Sequence, residues 1–133
     1  MSQENVEIVK SLFAAFAERD FDAAAKVMHP EVEILPAIVG GPERTVYRGV
    51  DGNRQFWEDI DAAWSEFVIE VEEFRDLGEQ VLVLGRATAR GPGSGISLDQ
   101  AGGWVADLRG GRLLQFRSFS SRQEALEAAG LSE

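Results

Sequence analysis

VIEVEEF (68–74), QVLVLGRATAR (80–90), GWVADL (103–108) and RLLQFRSFS (112–120) are the segments that decide the architecture. In each, β-branched and aromatic residues alternate with polar or small ones, the period of a half-buried strand. The breaks between them, Leu77-Gly78-Glu79, the run from Gly91 to Gly95, and Arg109-Gly110-Gly111, carry turn chemistry. The pattern predicts an antiparallel meander of long strands.

Immediately upstream, VDGNRQFWEDIDAAWSEF (50–67) places Phe56, Ile60, Ala63, Trp64 and Phe67 on one helical face. Before it, the Pro/Gly-rich PAIVGGPERTVYRG (36–49) reads as a loop with a short extended piece, and EVEIL (31–35) alternates charge with Val32 and Ile34 as a strand does. The amino-terminal stretch repeats Val6, Val9, Phe13 and Phe16 at helical steps, with Ser2 placed as a cap and Glu4 in the first turn. Asp20 caps a second helix, FDAAAKVM (21–28), which the His29-Pro30 step must stop, because a residue before proline avoids the helical region. Downstream, SRQEALEAAG (121–130) is helical, with Gly130 at a C′ position. The expected fold is α+β, one domain over 1–133, with helices packed on one face of a curved sheet.

A chain of 133 residues supports one layered core. Its 13 basic and 23 acidic residues leave a net charge of −10, which repels phosphate backbones and anionic bilayers, so neither nucleic acid nor membrane is an expected partner. The absence of cysteine excludes disulfides, thiolate metal sites and Cys nucleophiles, and a lone histidine excludes multi-His metal centres. No run approaches the roughly 18 apolar residues of a membrane span, and the first residues lack a signal-peptide pattern, so a cytoplasmic location is expected. GPGSG and GGP lack the lysine and the strand-to-helix placement of a phosphate loop and read as turns.

Three segments carry a family likeness: NVEIVKSLFAAFAERDFDAAAKVMHPEVEI (5–34), YRGVDGNRQFWEDI (47–60) and GGRLLQFRSFSSRQEALEAAGL (110–131). Together they resemble the SnoaL-like branch of the nuclear transport factor 2-like superfamily, which includes polyketide cyclases and ketosteroid isomerases. The resemblance implies a cone: a bent antiparallel or mixed sheet wrapped around three helices, enclosing a pocket, often dimeric through the open sheet face. The superfamily holds cofactor-independent isomerases, cyclases and hydrolases as well as non-catalytic carriers and protein-binding modules, so the fold leaves function open.

The resemblance also names places to look for chemistry. The isomerase tyrosine falls at about Leu12, its base at Leu35 or Ile34, and its second acid at Gly103 or Trp104, none of them acidic or phenolic here. Cyclases of the SnoaL type use a carboxylate with a nearby histidine; the only histidine, His29, sits in a helix-to-strand turn and reads first as a surface residue. Asp99, Asp107, Arg117 and Arg86 could imitate an Asp-Arg-Asp water-activating set, but as strand-face charges they read as solvated. Tyr47, the only tyrosine, is both a structural phenol and the best oxyanion donor on offer.

Strand parity sets Leu114, Phe116, Ser118 and Ser120 on one side and Leu113, Gln115, Arg117 and Phe119 on the other. By resemblance the Phe116 set lines the cone, with Gln100, Gly102, Trp104, Ala106 and Leu108 of the preceding strand. Trp57 and Trp64 read as core with ligand contact as the alternative. The expected ligand-binding set is therefore Trp104, Gln100, Phe116, Ser118, Ser120, Trp57 and Trp64, with Tyr47 and His29 as weak catalytic candidates and no metal or cofactor. The expected partners are a small hydrophobic ring-bearing molecule and a second copy of the chain through Gln115, Arg117 and Phe119.

Overall fold

The computed structural model describes residues 2–37, 46–91, 93 and 97–131. In chain order the elements are α1 (Ser2–Glu18), α2 (Phe21–Lys26), β1 (Met28–Leu35), β2 (Tyr47–Arg48), α3 (Gly49–Ala63), β3 (Glu66–Asp76), β4 (Gln80–Arg90), β5 (Ser97–Arg109), β6 (Arg112–Phe119) and α4 (Arg122–Ala128). One six-stranded sheet runs β2-β1-β6-β5-β4-β3. The expected meander is β3 to β6, antiparallel throughout; β1 adds to β6 in parallel and β2 pairs antiparallel with β1. This mixed, open sheet is the cone expected from the resemblance.

Three local readings change. α2 ends at Lys26, where the Val27 N–H returns to Ala24 and Ala25 carbonyls, and β1 starts at Met28, so His29 and Pro30 lie within a strand. Pro30 is tolerated because the β1–β6 register is irregular between Met28 and Glu33, and β2 reaches only Glu33 and Ile34, so no ladder bond needs its missing N–H. α3 ends at Ala63; Trp64 is extended, and Ser65 N–H donates to the Arg90 carbonyl, opening β3. Phe67 therefore belongs to the strand, where it shares a face with Ile69 and Val71.

The third correction concerns parity in β6. The β5–β6 register shifts between Asp107 and Leu108, so that Gln115 opposes Asp107 while Leu113 opposes Leu108. The extra residue, Leu114, drops out of the Phe116 face and Leu113 takes its place in the core, 1% exposed.

The helices divide between the two sheet faces rather than sharing one. Val81, Val83, Trp104, Ala106, Leu108 and Leu113 join residues of α1 and α3 in the main core. Their strand neighbours Leu82, Leu84 and Val105 pack with Ala125 and Leu126 of α4 on the opposite face. Ser121 caps α4, its hydroxyl accepting from the Glu124 N–H at 3.1 Å. Gly103 permits the approach: a Cβ there would lie 2.5 Å from the Ala125 Cβ and 3.0 Å from the Val83 carbonyl oxygen.

The face expected to hold a second copy carries Gln115, Arg117 and Phe119. Gln115 donates to Glu33 at 3.3 Å, Arg117 pairs with Asp107 at 3.6 Å, and the Arg117 guanidinium lies 5.9 Å from the Phe119 ring centre. Among the described residues only Val68, 45% accessible, is a large apolar side chain on the exposed surface. No helix among them is long and apolar enough to cross a membrane.

Candidate functional site

Between the concave face of the sheet and helices α1 and α3 lies a cavity of about 100 Å³, counted as room for the centres of water molecules, so the molecular volume it can hold is larger. Its walls come from the alternation already described: Ile34 of β1, Phe67 and Ile69 of β3, Trp104 of β5 and Phe116 of β6 meet Leu12, Phe13 and Phe16 of α1 and Phe56, Trp57 and Ile60 of α3. The rings brace one another edge to face. Phe13 meets Trp104 at 5.4 Å and Phe116 at 5.8 Å, and Phe16 meets Trp57 at 5.5 Å between centres. Such T-shaped contacts set neighbouring rings at steep angles to one another around the cavity.

Polar groups in the wall are few: Asn53, Gln100, Ser118 and Ser120. Two of these are engaged within the protein. The Gln100 amide donates to the Ser120 carbonyl at 2.9 Å, and the Ser120 hydroxyl donates to a Glu124 carboxylate oxygen at 3.1 Å. Among the described residues the lining contains no Asp, Glu, His, Lys, Arg or Tyr.

Of the expected ligand set, Trp104, Gln100, Phe116, Ser118, Ser120 and Trp57 all border the cavity, whereas Trp64 does not. Trp64 sits where the chain leaves α3, packed against the main core with its indole Nε1 buried and unpartnered. The isomerase-like positions that reach the cavity are Leu12, Ile34 and Trp104, which supply apolar surface where that mechanism needs a phenol and two acids.

The two catalytic candidates stand elsewhere. Tyr47 is buried outside the lining, its ring against Phe56, and its hydroxyl donates to Asp59 Oδ2 at 2.6 Å. Burial, then the hydrogen bond to Asp59 and that carboxylate's charge, push the phenol pKa up to about 12. A phenol already committed to a carboxylate is a structural tie rather than a free oxyanion donor. His29 is half-buried on β1, its Nδ1 accepting from the Glu31 N–H at 3.0 Å, outside the lining.

The charges considered as a water-activating set are also away from the cavity: Arg86 pairs with Asp99 at 2.6 Å, and Arg117 with Asp107. Glu73 is held below the ordinary carboxylate range, first by its hydrogen bond from Arg75, and it also lies 3.8 Å from Arg122 at the start of α4. No cluster of three or more metal-ligating side chains occurs among the described residues.

Sequence reasoning passed over Asn53. It lies on α3, is 2% exposed, borders the cavity, and its Nδ2 has no hydrogen-bond partner. The signal was present: Asn53 precedes Phe56, Trp57 and Ile60 at helical steps, so a polar residue occupies the inward stripe of an amphipathic helix.

No curated protein matches the chain at a significant level. Solved structures do. An NTF2-like protein from Burkholderia xenovorans LB400 is 26% identical over 90% of each chain, with a TM-score of 0.79. An NTF2-like protein of unknown function from Burkholderia pseudomallei K96243 is 21% identical over 93% of this chain and 95% of its own, also at 0.79. TerC, co-crystallized with polyporic acid, is 20% identical over 89% of this chain and 92% of its own, at 0.76. The SnoaL-like domain family matches residues 9–116, most of the described fold and nearly all of the cavity wall, and the chain belongs to that family.

Proposed function

We propose that the chain binds a small, largely apolar, ring-bearing molecule in the cavity and holds it without converting it. The observation that carries this reading is the lining itself: aromatic and aliphatic walls, one amide and one hydroxyl uncommitted, and no ionisable side chain among the described residues. Enclosing apolar surface drives binding, and a few polar groups set orientation. An isomerase, cyclase or hydrolase needs a group within about 3 Å of the proton it moves. The described wall offers none. TerC, a protein of similar fold, was co-crystallized with polyporic acid.

The test is a thermal-shift titration against steroids, terpenoids and aromatic polyketides, with mass spectrometry of each mixture after incubation. Saturable stabilisation that grows with ligand concentration over its dissociation constant, with the compound recovered unchanged, is the expected result. Turnover of any stabilising compound would show the chain to be an enzyme, and no stabilisation across the panel would remove the reading.

Self-association is part of the same proposal. The half-buried Phe119 and the Arg117 beside it, next to the strip covered by α4, form the seat for a second copy. Sedimentation velocity giving a dimer supports this, and a monomer at every concentration removes it.

A further inference from the structure

Three buried side-chain nitrogens lack a hydrogen-bond partner among the described residues: Asn53 Nδ2, Trp64 Nε1 and Arg117 Nε. Only Asn53 belongs to the cavity wall. Native proteins leave few buried polar groups unmet, so each exception calls for a reason. The surroundings of Asn53 do not supply one. Its inward neighbours on α3 are Phe56, Trp57 and Ile60, all buried and apolar. A leucine at this position would suit that stripe, and the amide instead places an unmet donor against apolar surface in the empty protein.

We infer that Asn53 is the specificity-determining residue of the cavity, its side-chain amide selecting neutral ring compounds that carry an acceptor oxygen over hydrocarbons of the same shape. This rests on the proposed small-molecule binding. The nitrogen shows almost no surface to the empty cavity, so a guest's oxygen becomes its partner through a turn of the Asn53 side chain toward the space, while a hydrocarbon fills the same space and leaves the amide unmet. A site built to hydrogen-bond a guest discriminates mainly through that penalty. The oxygen must be neutral. The described lining offers no cation to pair with a carboxylate, and the chain already carries a net charge of −10. The other polar wall groups do not compete for the role, since Gln100 and Ser120 are engaged with Ser120 and Glu124, and Ser118 on β6 is only half-buried.

The experiment compares 1-tetralone with tetralin, two bicyclic probes of nearly equal size that differ by a carbonyl oxygen, by calorimetric titration of the full chain. The wild type should bind the ketone at least about tenfold more tightly, the yield of one net hydrogen bond. In Asn53→Leu the ratio should fall to within about twofold, tetralin binding should persist, and the unliganded variant should melt above the wild type. Should the leucine variant not fold, Asn53→Ala carries the same comparison of ratios. Equal binding of the two probes by the wild type, or a ketone preference that survives loss of the amide, would overturn the role of Asn53 while leaving the binding reading intact. Failure of both probes to bind the wild type would overturn the two together.

Discussion

Along β4, Val81 and Val83 face the cavity side of the sheet while Leu82 and Leu84, one residue away, lie under α4. All four are fully buried, yet the two faces are finished differently. On the concave side the partners are long helices held off by rings meeting edge to face, and a void survives between them. On the convex side a short helix is drawn into contact because Gly103 presents no side chain, and the small Ala125 fills the gap. Strand alternation makes each side independent of the other, so one face can be given to stability and the other to a guest.

Substitutions that separate these roles test the contrast. The largest effect is expected from Leu126→Ala, which empties the convex contact and should cost about 3 kcal/mol in denaturant unfolding while ligand affinity stays within about twofold. Gly103→Ala drives a methyl group into Ala125 and should cost about 2 kcal/mol with the same indifference of the ligand. On the concave side the expectation inverts. Ala87→Phe fills the chamber and should weaken binding of any cavity ligand by about tenfold or more, with stability changed by less than about 1 kcal/mol. An affinity loss from Leu126→Ala as large as that from Ala87→Phe would dissolve the distinction.

A smaller effect should come from Tyr47, which belongs to the concave-side core but not to the cavity wall. Tyr47→Phe should cost about 1 kcal/mol near neutrality through loss of the hydrogen bond to Asp59. The folded phenol holds its proton up to about 12 against an ordinary 10.0, so its contribution is fully present below pH 10 and lost as pH rises toward 12. The stability gap between wild type and Tyr47→Phe should therefore close over that window in alkaline unfolding titrations. Smallest of all is Arg86→Ala. Its partner Asp99 is exposed, and the melting temperature should not move measurably.

The meander and α1 could be read from the chain because both are statements of local period, and the period survives folding. α2 was read from its Asp20 cap, and its end fell earlier than the His29-Pro30 step suggests. What could not be read depends on a neighbour. Phe67 fits the face of a helix with Trp64 and of a strand with Ile69 equally well, and the Ser65 bond to Arg90 decides between them. The displaced Leu114 cannot be seen in β6 alone, since a bulge exists only against the register of β5. The sequence shows α4 as a helix but suggests that all the helices share one sheet face; that α4 takes the other side follows from the gap at Gly103. Strand parity found only the share of the cavity wall that β5 and β6 supply, Gln100, Gly102, Trp104, Phe116, Ser118 and Ser120; Leu114, Ala106 and Leu108 of the same sets lie outside the lining. The larger share, from α1, α3, β1, β3 and β4, depends on how those elements pack, and Tyr47 and Trp64, selected for residue type, lie elsewhere. Asn53 escaped because attention to helical periods favours apolar residues, and the informative residue was the polar one among them.

The parallel pairing of β1 with β6 joins Met28 to Leu113 and Ile34 to Phe116, residues more than eighty positions apart. During synthesis β1 must wait for β6 to emerge before that seam can close. Until then Phe13 of α1 stands without the β5 and β6 rings that cover it, Trp104 and Phe116, and the exposed apolar surface of the opening helices invites association with other chains.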